Sequence, residues 1–404
     1  MLRLDDHLHG DDYAQDPHPV WSRLRAEDPI HWSDALQAWV VTSYLLVKDA
    51  GKHPCIGGGT DRARSHIAKF SPDEQAHLEP LAGHYARFMS YMNPPQHTEQ
   101  RSFLSDSFTR RVVENMRPAI EQIVDDLIAQ HLPRGRMDML HDFCLPMSSS
   151  IIVDMLGIPR DDRPIFVDWI NHAFNFLGSE QNDFLLAKRA LDTYLHLSEY
   201  LSNIVADRRL RPRDDLITEM IKLQQIRTEI SDQRLLSLLI TVIHGGWETT
   251  MTLISNGTLD LLTNPQQWQK LRNSPALMKS AVEEMLRFNG PFKGVTRVAL
   301  EEFVWEDRKI SKSEAFVLML AAANRDPQVF DDPQQFNIER RPNPHVAFGV
   351  GIHYCLGAAL AQLEAQVAFT QIARHLPHLR LGDQSASWRS SHLLRQLESL
   401  PVEF

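Results

Sequence analysis

One stretch near the middle of the chain constrains its fold more than any other. Ser231-Asp232 offers helix-capping side chains. An apolar run follows through Leu235, Leu236, Leu238, Leu239, Ile240, Val242 and Ile243. The pattern resumes, less regularly, at Met251, Leu253, Ile254, Leu259, Leu261 and Leu262, and stops near Asn264-Pro265. The spacing predicts a helix of roughly 32 residues, about 48 Å long at ~1.5 Å per residue. A helix apolar on most faces is buried, so one this long predicts a large body folded around it. Its middle reads His244-Gly245-Gly246-Trp247-Glu248-Thr249-Thr250. Each glycine in a helix interior costs about 1 kcal/mol relative to alanine, and a buried acid and hydroxyls add a desolvation cost. Local rules broken inside a core element have two readings: a kink or close helix crossing at Gly245-Gly246, or a functional site.

The rest of the chain reads as mainly α with small β-sheets. Amphipathic helical patterns follow one another from about Arg110 to Arg213. An early hairpin is expected from Pro29-Ile30-His31-Trp32 and Ala38-Trp39-Val40-Val41-Thr42 around the turn-like Ser33-Asp34-Ala35-Leu36. No composition shift marks a boundary, so residues 1–404 are expected to form a single domain. The 42 basic and 52 acidic residues give a formal charge of −10. Without a basic stripe, this speaks against nucleic-acid binding. The longest apolar run, Leu235 to Ile243, has nine residues, far from the ~20 of a membrane span. The amino terminus carries Asp5-Asp6 and Asp11-Asp12 where a secretory leader needs an apolar run. A cytoplasmic protein with no membrane partner is therefore expected.

The three cysteines, Cys55, Cys144 and Cys355, are odd in number and widely spaced, unlike a disulfide framework. Cys355 stands apart. It lies in Phe348-Gly349-Val350-Gly351-Ile352-His353-Tyr354-Cys355-Leu356-Gly357, just before a helix with apolar Leu356, Leu360, Leu363 and Val367. A helix N-terminus favours the thiolate. The glycines clear side chains from around the sulfur, leaving room for a flat group. The spacing fits neither a dinucleotide-binding fingerprint nor a paired-cysteine zinc site. An axial thiolate ligand to haem iron is one reading. A nucleophilic cysteine with His353 as base is the other.

These residues resemble the cytochrome P-450 family, and soluble bacterial haem-thiolate monooxygenases in particular. Phe348-Gly349-x-Gly351-x-His353-x-Cys355-Leu356-Gly357 matches its haem-binding signature. Glu284-Met285-Leu286-Arg287 matches the Glu-x-x-Arg motif, and Gly245-Gly246-Trp247-Glu248-Thr249-Thr250 the oxygen-activation motif. His97-Thr98-Glu99-Gln100-Arg101 matches the early His-x-x-x-Arg. The likeness runs from the hairpin to the carboxy terminus. It implies the P-450 fold, with the long central helix over a buried haem b.

The resemblance also implies roles. Cys355 is the proximal iron ligand, with Phe348, Gly349 and Gly357 around the cofactor. His97, Arg101, Arg297 and His353 meet the haem propionates. Glu284, Arg287 and Arg340 form a structural charge triad. Thr249 and Glu248 deliver protons to bound dioxygen, inserting one oxygen atom into a small or mid-sized organic substrate by hydroxylation or epoxidation. Natural-product biosynthesis is the family habit. Electrons come ultimately from NAD(P)H through a separate ferredoxin or flavodoxin with its reductase. Residues 57–92 fall at the variable substrate loop. Thr241, His244, Gly245, Lys293 and Val295 are candidate pocket residues. His244 replaces a usually apolar residue, and Lys293 either meets an anionic or carbonyl-bearing substrate or faces solvent. A peroxygenase or decarboxylase driven by hydrogen peroxide, and a non-catalytic haem-thiolate sensor or binding protein, are the competing classes. The Glu248-Thr249 pair favours dioxygen.

Overall fold

The computed structural model describes residues 11–176, 183–383, 386–389, 391 and 393–404. The described chain is mainly helical with small sheets, and it partitions into two compact units. One comprises residues up to Ile56, Val113–Ser148 and Glu248–Phe404; the other comprises Gly57–Val112 and Ser149–Trp247.

In the first unit the expected hairpin forms. Ile30–Ser33 pairs antiparallel with Ala38–Val41, placing Ile30 opposite Val41. Ala38–Val41 then pairs in parallel with Ala315–Leu318, which pairs antiparallel with Val295–Ala299. Val41, Val47, Phe316, Leu318 and Phe330 join in one apolar cluster on this sheet. The helix Glu248–Thr263 is buried over most of its length and packs against Met278–Asn289 and Ala358–His375. Gly257 permits the close approach: a Cβ there would lie 2.7 Å from Met285 Sδ and 2.9 Å from Phe369 Cζ.

The same helix carries polar residues inward. Asn256 Nδ2 donates to the carbonyls of Asn289 (3.0 Å) and Arg395 (2.7 Å). Asn289 Nδ2 donates to Asp260 Oδ1 at 3.2 Å. Burial raises the Asp260 carboxyl to about 7, against the opposing pull of Asn289, Arg325 and Arg395. Between the ordinary aspartate range, about 4, and about 7, the unfolded chain has released a proton that the folded protein keeps. Stability therefore falls as pH rises through this window and levels off above it. Asp260→Asn should remove that part of the pH dependence, worth roughly 4 kcal/mol at most. Thermal unfolding at pH 4, 6 and 8 checks this. A variant whose stability falls with pH as steeply as the wild type would rule it out.

The single long helix expected over 231–263 is corrected. Two helices form, Asp232–Gly246 and Glu248–Thr263. The first ends at Trp247, whose φ of −102° and ψ of −50° depart from helical values. The paired glycines before it lower the cost of leaving the helix. The close-crossing reading of the glycine pair holds at Gly246. A Cβ on Gly246 would press to 2.4 Å from Ile152 Cδ1, a close crossing, whereas one on Gly245 would meet nothing within 4 Å.

The second unit is helical. Its longest helix, Phe184–Leu210, is capped by Asp183 and packs against Arg163–Asn175, Pro72–Ala86 and Leu216–Ile226. Residues 57–92 are not a plain loop. They contain the helix Pro72–Ala86, started by a Ser71/Glu74 capping box, between the short turns Thr60–His66 and Met89–Tyr91.

Candidate active site

The loop around Cys355 is held by its own backbone. Gly349 N donates to Val346 O at 2.8 Å, and Cys355 N to Phe348 O at 2.8 Å. Gly349 and Gly351 take φ of 73° and 72°, a left-handed conformation that glycine alone adopts freely. A Cβ on Gly351 would lie 2.1 Å from the carbonyl oxygen of Gly51, and a Cβ on Gly51 2.1 Å from Val350 Cγ2. We expect Gly351→Ala to combine left-handed strain with a backbone clash, each worth about 1–3 kcal/mol. It should lower cofactor retention, measured as haem per folded chain after gel filtration. Full retention would contradict this.

Cys355 is partly buried and lies three residues before the helix Ala358–His375, whose N-cap is Gly357. A Cβ on Gly357 would meet nothing within 4 Å, so the space at Gly357 is open. Phe348 packs near Tyr354, with ring centroids 6.1 Å apart. His353 sits in the short turn Gly351–His353.

Behind the loop lies the charge triad. Glu284 and Arg287 are on one face of Met278–Asn289 and are fully buried. Arg287 grips Glu284 in a two-pronged pair, Nε to Oε2 at 2.7 Å and Nη2 to Oε1 at 2.8 Å. Arg340 Nε joins at 3.2 Å, and the Asn337 N–H donates at 2.9 Å. Arg287 Nη1 also donates to the Asn324 carbonyl at 3.0 Å. The Asn324 side chain in turn accepts from Val346 N at 2.7 Å. The triad is thus linked by two hydrogen bonds to the base of the cysteine loop.

Glu248 and Thr249 begin the helix Glu248–Thr263. Burial raises the Glu248 carboxyl above its ordinary value, while Arg389 and a hydrogen bond from Gln396 pull it down. The sequence reading missed Arg389 and Gln396, because they come from the far end of the chain with no fixed spacing to Glu248. Val295 and Arg297 lie in the strand Val295–Ala299, with Arg297 Nη1 on the Thr296 carbonyl at 2.8 Å.

Lys293 does not face solvent, which corrects that reading of it. It is 1% exposed. Its ammonium donates to the Ser391 carbonyl at 2.6 Å and lies 5.0 Å from the centroid of the Tyr13 ring. A buried ammonium needs such partners, and these come from two segments at opposite ends of the sequence.

The remaining candidates belong to the second unit. His97, 2% exposed, and Arg101 are neighbours at i,i+4 on Gln96–Ser107. Thr241 donates its hydroxyl to the Ser237 carbonyl at 2.8 Å. His244 stacks on Phe88, with centroids 5.4 Å apart and planes 20° apart. Burial lowers its pKa to about 4, so the ring is neutral at pH 7. Gly245 follows it, facing open space.

The donor set around Cys355 fits haem. A single cysteine at a helix start, in a loop that is open at Gly357, fits an axial thiolate ligand beside a flat macrocycle.

Comparison with known proteins agrees with this chemistry. A family model described as Cytochrome P450 matches residues 63–385. The polyketide biosynthesis cytochrome P450 PksS of Bacillus subtilis (strain 168) is 32% identical over 415 residues, covering 100% of this chain and 99% of that protein. Cytochrome P450 107B1 of Saccharopolyspora erythraea is 36% identical over 407 residues, covering 97% and 96%. Among solved structures, P450BioI in complex with an acyl carrier protein ligated to hexadec-9Z-enoic acid superposes with a TM-score of 0.89 at 31% identity, covering 98% of this chain and 100% of that one. No helix among the described residues is long and apolar enough to cross a membrane. The chain belongs to the cytochrome P450 family of haem-containing monooxygenases.

Proposed function

We propose that this chain uses dioxygen to insert one oxygen atom into a small or mid-sized organic molecule, by hydroxylation or epoxidation. The observation that carries the reading is the glycine-walled Cys355 loop, with open space at Gly357. In this reading residues 1–404 serve one haem b. Cys355 ligates its iron, Phe348, Gly349 and Gly357 line it, and His97, Arg101, Arg297 and His353 hold its propionates by charge-assisted hydrogen bonds. When bound, the haem supplies the activation of dioxygen, favoured by electron density from the thiolate.

The protein's own part is proton handling. Burial keeps the Glu248 carboxyl ready to hold a proton, while Gln396 and Arg389 limit how far its pKa rises. The Thr249 hydroxyl, able both to donate and to accept, passes protons on from it. This pair supports dioxygen over hydrogen peroxide as oxidant. Electrons reach the site from NAD(P)H through a separate ferredoxin or flavodoxin with its reductase, in the cytoplasm. The names of PksS and of the relative described as a biotin biosynthesis cytochrome P450 support a biosynthetic substrate. The structural neighbour bound to an acyl carrier protein supports one that is delivered on a carrier.

The test is a carbon monoxide difference spectrum of the reduced protein. It is followed by product formation with NADH and a surrogate ferredoxin system, compared with hydrogen peroxide alone. The thiolate band and product only with the electron donor are expected. The band with product from peroxide alone would move the reading to a peroxygenase. We expect Glu248→Gln and Thr249→Ala to lower product formation by ~10²-fold or more while leaving the substrate-induced spectral shift in place. Unchanged turnover would remove both residues from the proton path.

A further inference from the structure

Arg87 is a cation that meets no carboxylate among the described residues of its own unit. It caps the C-terminus of Pro72–Ala86 and is partly buried. Its Nη2 donates to His84 Nδ1 at 3.1 Å, and its buried Nε has no hydrogen-bond partner among the described residues. Two of the three acids of its helix are spent elsewhere, Glu79 on Arg64 at 2.6 Å and Glu74 on Ser71, and the third, Asp73, lies at the opposite end of the helix. Burial lowers the Arg87 pKa with no carboxylate opposing it, yet a guanidinium stays charged. The helix C-terminus offers about half a negative charge, which offsets only part of the desolvation.

The surroundings are aromatic and neutral. Arginine can only donate, so His84 Nδ1 must accept. His84 is held neutral, its pKa lowered to about 4 by burial and by Arg87. Its ring stacks on Tyr194 at 5.6 Å and 17°. Tyr85 meets Tyr194 edge-on at 5.6 Å and Phe88 at 5.9 Å, and Phe88 stacks on His244. Tyr85 is fully buried, and its hydroxyl has no hydrogen-bond partner among the described residues. A buried hydroxyl and a buried guanidinium N–H left unmet both cost stability. There is room beside the guanidinium, because a Cβ on Gly83 would meet only Arg87 Nη1, at 3.7 Å.

We propose that Arg87 is the anion-binding element of a ligand subsite that takes a carboxylate or phosphate joined to an apolar, aromatic body, which packs among Phe88, Tyr194 and His244. The subsite deepens the proposed monooxygenase reading and rests on it for the fate of the bound molecule, but not for the binding itself.

Calorimetric titration of the haem-loaded full chain tests it, with 4-phenylbutyrate against 4-phenylbutyramide and phenyl phosphate against phenol. We expect the anion of at least one pair to bind ~10-fold or more tightly than its neutral partner. The pair that shows the preference separates carboxylate from phosphate. Arg87→Met should abolish the preference and Arg87→Lys keep part of it; should Arg87→Met not fold, Arg87→Gln makes the same comparison. Equal affinities within both pairs, no binding of either anion, or a preference that survives loss of the charge would each overturn the proposal. The carbon monoxide spectrum of the same preparation keeps the two readings apart. A thiolate band without anion preference sinks only the subsite, and anion preference without the band sinks only the haem-thiolate reading.

Discussion

Replacing Cys355 with serine will yield a folded chain that lacks the long-wavelength carbon monoxide band of thiolate ligation, with turnover below ~1% of wild type. The expectation follows from the loop, not from the cysteine alone. The backbone bond from Cys355 N to Phe348 O and the left-handed glycines fix where the β-carbon of residue 355 stands. Serine occupies that place with nearly the same volume, so circular dichroism and thermal unfolding should change little. What is lost is an anionic donor. A thiol near a helix start ionises readily, whereas a hydroxyl there does not. Cys355→His is the informative companion, since it restores a metal donor without the negative charge. It should bind haem with an altered spectrum and still fail to turn over. Retention of the thiolate band in either variant would mean that another residue ligates the iron.

The second large effect concerns Glu284. Glu284→Ala leaves Arg287, 1% exposed, without its acid, and removes an acceptor from Arg340 and from the Asn337 N–H. Breaking a buried pair by deleting one partner costs about 3–5 kcal/mol. For a chain of this length that corresponds to a fall of roughly 5 °C in apparent melting temperature. The link through Asn324 to Val346 predicts a second symptom, weaker cofactor retention. Scanning calorimetry and haem content measured together decide the matter. A drop in melting temperature with unchanged haem content would confine the triad to the stability of its own helix. A change below about 1 °C would deny it even that.

Much of this was legible in the sequence because the informative residues are local to one another. The cysteine loop and the Glu284/Arg287 pair are short-range patterns that the family resemblance made legible; spacing alone marks an i,i+3 ion pair but not its burial. The hairpin at Ile30–Val41 likewise follows from alternation around a turn. The break at Trp247 was less legible: a glycine pair permits a helix to end without requiring it. Lys293 was misread because a lysine's ordinary place is the surface. Its burial depends on a carbonyl at Ser391 and a ring at Tyr13, neither of which any spacing rule connects to it. Gln396 and Arg389 beside Glu248, and Arg87 beside His84 and Tyr194, are invisible for the same reason. Their meaning arises from what surrounds them, and tertiary surroundings leave no periodic trace.

The contact between residues 51 and 351 has a consequence for how such a chain can vary. Two stretches of main chain, three hundred positions apart, touch with no side chain between them. A new side chain at position 351 collides with the carbonyl oxygen of Gly51, and no rotamer change relieves that clash. One at position 51 collides instead with the Val350 side chain, so it needs a smaller residue at 350. Mutational drift and directed libraries alike must therefore treat codon 351 as a fixed point, and codon 51 can change only together with codon 350.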